Sequence, residues 1–190
     1  DPTELLASQD PAQIRAAVQR MMADGVWMKA YMTAQFMAEI APEESGLSDL
    51  PKEVAREARK HNSDAQQRVD KLVAQEKWVE AFQEAMMVAM AAPKDSRAGQ
   101  LVKYVLDSAR GKVEFAELRR RLEKLLEDGN LLEARPVALF ALSLAPDDAR
   151  VKRMQQLMQQ AVRRRMPSGR MWSGFGAGLG RGPSGRGQGS

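Results

Sequence analysis

Reactive side chains are scarce in this chain, and their spacing limits what they could do. His61 is the sole histidine and there is no cysteine. A zinc site and a thiol nucleophile are therefore excluded by composition. His61 falls in Lys60-His61-Asn62-Ser63-Asp64, between helical patterns, where a lone histidine serves as a cap or a solvated residue more readily than as a general base. Glu43, Glu44 and Asp49 cluster, but without the ligand spacing of a calcium loop, so they read as a solvated turn. Alternating glycines from Gly174 to Gly180 mimic a phosphate-binding loop. Such loops need a strand before them and a helix after them, and neither pattern is present. The expectation is a chain that is not an enzyme and that needs neither metal nor cofactor.

What remains are groups suited to recognition. From Arg163 to Ser190 there are six arginines (163, 164, 165, 170, 181 and 186) and no acid, interleaved with Trp172 and Phe175. With those six set aside, 23 bases face 25 acids, so residues 1–162 carry a net charge of about −2 within a chain whose total is +4. A basic arm on a mildly acidic body marks an interaction segment, with Arg163, Arg164, Arg165, Arg170, Trp172, Phe175, Arg181 and Arg186 as the expected partner-binding residues. Trp and Arg are frequent interface anchors. The same residues could also neutralise phosphates and stack on bases, so RNA is the alternative partner.

The elements that carry this arm are written three times. Gly25-Val26-Trp27-Met28-Lys29-Ala30, Glu76-Lys77-Trp78-Val79-Glu80-Ala81 and Gly129-Asn130-Leu131-Leu132-Glu133-Ala134 align without gaps, each running on to Ala-Pro at 41–42, 92–93 and 145–146. The offsets are 51 and 53 residues. Trp27, Trp78 and Leu131 correspond, as do Ala30, Ala81 and Ala134, then Ala34, Ala85 and Ala138. These nine are the expected repeat-packing residues, with alanine at every fourth position letting a neighbouring helix approach. Upstream, Ile14, Val18, Met21 and Met22 match residues 65, 69, 72 and 73, then 118, 122, 125 and 126, all at helical spacing. Gly25 and Gly129 sit where a helix should reverse, the prolines at 42, 93 and 146 end the second helices, and Pro136 should kink one of them near its start.

Gly129-x-x-x-Glu133-Ala134, followed by small and apolar positions and then Ala145-Pro146-Asp147-Asp148, resembles the second helix and closing loop of a tetratricopeptide repeat. The resemblance implies an all-α fold that stacks helical units and binds other proteins. The usual period is about 34 residues, so the longer offsets leave room for a third helix per copy, near 47–60, 97–109 and 150–165. The expected architecture is a short α-solenoid or a helical array of about nine helices over residues 1–165, in units of about 10–61, 62–112 and 113–165. Residues 166–190 would form a Gly/Arg-rich extended tail.

The longest apolar runs, 85–92 and 137–142, fall far short of the roughly 20 residues of a membrane span, so no transmembrane segment is expected. The chain starts at Asp1, which fits either a fragment or a mature protein whose leader was removed on organelle import or secretion. The function expected from all of this is a scaffold or interaction subunit that docks on protein subunits of a larger complex.

Overall fold

The computed structural model describes residues 10–41, 45–61 and 64–165. They form nine α-helices and no strand: α1 Pro11–Ala23, α2 Trp27–Ile40, α3 Leu50–His61, α4 Ala65–Ala74, α5 Trp78–Ala91, α6 Ser96–Ala109, α7 Phe115–Glu127, α8 Leu131–Leu144 and α9 Ala149–Arg165. Local chemistry sets the boundaries. Asp10 caps α1 by accepting from the Ala12 amide at 2.9 Å, with Pro11 at the first helical position. Asp95 caps α6 and Asn130 caps α8 in the same way. Helix α8 continues unbroken through Pro136.

The hinge between the first and second helix of each unit is one motif used three times. The amides of Gly25, Glu76 and Gly129 donate to the carbonyls of Met22, Val73 and Leu126. The next amides, of Val26, Lys77 and Asn130, reach back to Met21, Leu72 and Leu125 at 2.8–3.0 Å. This Schellman reversal needs a left-handed residue, and the three have φ of 73°, 56° and 72°. Glu76 is the one non-glycine residue with positive φ among the described residues. A side chain in that region costs on the order of 1 kcal/mol. Glu76→Gly should therefore stabilise the protein by about 0.5 kcal/mol at most, after allowing for the extra freedom glycine gives the unfolded chain. A higher urea midpoint at constant m-value is the expected observation, and a lower midpoint would contradict it.

Within each unit the three helices touch one another, and the three second helices α2, α5 and α8 also meet pairwise. The first and third units are thus in direct contact across α2 and α8, giving a helical array closed around a shared centre. The second helices can sit there because they are apolar on nearly all sides. Ala30, Ala34, Ala81, Ala85, Ala134 and Ala138 are all buried, and Phe36, Met37, Phe82 and Phe140 fill the space between helices. Phe82 and Phe140 meet at 5.6 Å in a tilted pair that joins α5 to α8. First and third helices turn one apolar face inward, through Ile14 and Val18, Val69, Leu118 and Leu122, and through Val54, Val105 and Met158.

Candidate interaction surface

The repeat positions build a clasp at the open corner of each unit. Trp27, Trp78 and Leu131 are the first residues of α2, α5 and α8. Thirty-four residues after each of them stands His61, Lys112 or Arg165, at or just beyond the end of the third helix. In the first unit the His61 ring stacks on Trp27, with centroids 5.2 Å apart and planes 17° from parallel. In the second, the Lys112 ammonium lies over the Trp78 ring at 5.7 Å, a cation–π contact. In the third, Leu131 is buried and the Arg165 guanidinium lies against Gly129, where a Cβ would collide with it. His61 is the last residue of α3, and its ring packs on a tryptophan, a packing role that its place between two helical patterns did not disclose.

The third clasp stands at the start of the acid-free run from Arg163 onward. Arg163, Arg164 and Arg165 form the exposed last turn of α9, where cations complement the helix dipole. Arg170, Trp172, Phe175, Arg181 and Arg186 lie outside the described residues. At the other end of α9, Asp148 caps the helix through the Arg150 amide at 2.8 Å and also accepts from the Arg150 guanidinium at 2.7 and 3.0 Å. Those bonds hold the Asp148 carboxyl down at about 2. Arg150 in turn lies 4.6 Å over the Phe115 ring and ties the start of α9 to the start of α7.

A buried polar network crosses between the first and third units. Arg135 of α8 is 7% exposed and reaches α2 with its whole guanidinium. Its Nε donates to Glu39 Oε2 at 2.6 Å, Nη2 to Glu39 Oε1, and Nη1 to Gln35 Oε1 at 3.2 Å. The Gln35 amide then donates to the Tyr31 hydroxyl at 2.9 Å. Burial pushes the Tyr31 phenol well above its ordinary value, against the lowering influence of Arg135, so it stays protonated. Sequence reasoning missed this network, although a signal was present. Arg135 is the lone cation of a largely apolar α8, and Gln35 stands among apolar residues of α2.

Among the described residues no group of three or more His, Asp or Glu side chains could hold a metal ion. None of the helices described is long and apolar enough to cross a membrane. Together, the described residues define an all-α body whose helices pack in threes, with Arg163, Arg164 and Arg165 exposed at the end of α9. No family model, curated protein or solved structure matches the chain.

Proposed function

We propose that the chain is a non-catalytic interaction subunit, similar in design to tetratricopeptide-repeat proteins, that docks into a larger assembly through its helical units and basic arm. The observation that carries this reading is the join between body and arm. The acid-free run from Arg163 onward starts on the exposed last turn of α9, a helix that buried Val151, Met154, Met158 and Val162 hold to the body. A rigid base for an otherwise glycine-rich arm supports a role in presenting Arg170, Trp172 and Phe175 to a protein partner. Preorganised attachment lowers the ordering cost of binding. The fixed Trp27 and Trp78 rings are engaged within their own units, which supports a packing role for them and leaves Trp172 as the anchor.

RNA is the second reading, favoured by the arginine, glycine and aromatic composition of residues 163–190. Salt dependence separates the two. Six phosphate contacts to a single strand would give a slope of log affinity against log salt of about −4. A contact centred on Trp172 should give a slope much closer to zero. Pull-down of the native partner across a salt series tests this, and a steep slope would transfer the function to nucleic acid.

A further inference from the structure

We propose that the outer face of α9 is a docking surface for double-stranded RNA, which it holds by the phosphates on either side of the minor groove. From Ala149 to Arg165 the sequence has six cations and no acid. In the helix these residues sort by face. Val151, Met154, Met158 and Val162 are buried against the body, while Lys152, Arg153, Gln156, Gln160, Arg163 and Arg164 are exposed on the opposite side. Steps of three and four residues line those six up along one ridge. Cations occupy both ends of it and amides the middle. Ten residues separate Arg153 from Arg163, which sets the two ends about 15 Å apart.

Elsewhere on the body, Lys60, Arg110, Arg119 and Arg121 each pair with a carboxylate at 2.6–2.8 Å. On the ridge, Lys152, Arg163 and Arg164 form no ion pair among the described residues, and Arg153 only donates to Gln156 Oε1 at 3.4 Å. Helix stability accounts for one end alone. Arg163 and Arg164 complement the helix dipole in the last turn, whereas Lys152 and Arg153 stand within the first turn and a half, where that dipole opposes a cation. An anion from outside the chain would satisfy both ends. The make-up of the face selects its kind. Protein interfaces concentrate their affinity in apolar and aromatic anchors, and this ridge has none. Arginine, lysine and glutamine are side chains that contact phosphate and sugar oxygens. Single strands are held by stacking on aromatic rings, which the ridge also lacks, so a duplex fits better. Gln155, Leu157, Gln159 and Ala161 flank the ridge half-buried. Helix α9 thus offers a low ridge, too shallow for the B-DNA major groove of about 8.5 Å depth and suited to the wide, shallow minor groove of A-form RNA. There the amides of Gln156 and Gln160 meet 2′-hydroxyls while the cations reach phosphates on both strands. This surface belongs to the helical body and stands whether or not the arm binds protein.

The test titrates the full chain with an RNA duplex of about 16 base pairs, the DNA duplex of the same sequence, and poly-glutamate. The RNA duplex should bind about tenfold or more tightly than either of the others. In a variant carrying Lys152→Gln, Arg153→Gln, Arg163→Gln and Arg164→Gln, RNA affinity should fall about a hundredfold or more at about 0.1 M salt. The slope of log affinity against log salt should become shallower by about 3–4, close to one per phosphate contact. Helical signal and thermal midpoint should be retained, because all four positions are exposed. Should that variant misfold, Gln156→Glu with Gln160→Glu decides the matter: RNA binding weakened about tenfold supports the proposal, and unchanged binding overturns it. A further variant with Arg170→Gln, Arg181→Gln and Arg186→Gln separates the ridge from the arm. The preference for RNA over DNA should persist in it and disappear in the α9 variant. Unchanged RNA affinity in the α9 variant would overturn the proposal, as would loss of the preference in the arm variant alone. Equal or tighter binding of the DNA duplex would also overturn it. Binding of poly-glutamate as tight as that of RNA would assign the ridge to an acidic protein instead.

Discussion

Glu39→Ala should destabilise the protein by about 2–3 kcal/mol, read as a lower urea midpoint, because it strands a buried guanidinium. Arg135 has a side-chain exposure of 8% and Glu39 is its sole anionic partner among the described residues, with Gln35 supplying one further acceptor. Complete burial of both charges would raise the loss to about 3–5 kcal/mol. The Glu39 side chain is 37% exposed, so water partly compensates and the lower range applies. Pairing the change with Arg135→Met should recover most of the loss, since an unbranched apolar side chain fills similar space without charge. The double-mutant cycle thereby separates the interaction from packing. A loss below about 0.5 kcal/mol, typical of surface pairs, would mean that solvent reaches the α2–α8 contact. The array would then be more open at its centre than the meeting of α2, α5 and α8 indicates.

The helical content and the nine helices were legible because repetition tripled every signal. A single Ala-x-x-x-Ala pattern is weak, yet three in register at 30 and 34, 81 and 85, and 134 and 138 identify buried faces, and all six alanines are buried. Third helices were placed to within a few residues from Leu101, Val105 and Ala109 and their counterparts, with α3 starting three residues later than its pattern suggested. What the sequence did not disclose lies between units. Contact of α2 with α8 joins residues about 100 apart, and no local pattern encodes it. Polar residues inside apolar helices were the trace it left: Gln35 and Arg135 found each other across the contact. Glu76 illustrates the converse, since the repeat requires a left-handed residue there and the local sequence supplies an unsuited one.

The Trp172 anchor and the basic arm carry the functional reading, and their removal should have a large effect on assembly without one on folding. Helix α9, the last of those described, ends at Arg165, so cutting there removes no part of the nine described helices. Ordering about 25 residues on a partner costs on the order of 1–2 kcal/mol each in backbone entropy. A segment so rich in glycine must recover that through few side chains, namely Arg170, Trp172, Phe175, Arg181 and Arg186. Trp172→Ala alone should cost about 2 kcal/mol or more of binding if it fills a desolvated pocket. The most direct measurement is quantitative co-purification from the native source, comparing the full chain with the chain ending at Arg165, alongside circular dichroism of both. Loss of partner recovery at least as large as that caused by Trp172→Ala, with helical signal and thermal midpoint retained, is the expected result. Equal recovery of partners by the two chains would contradict the proposal that the arm docks this protein into its assembly.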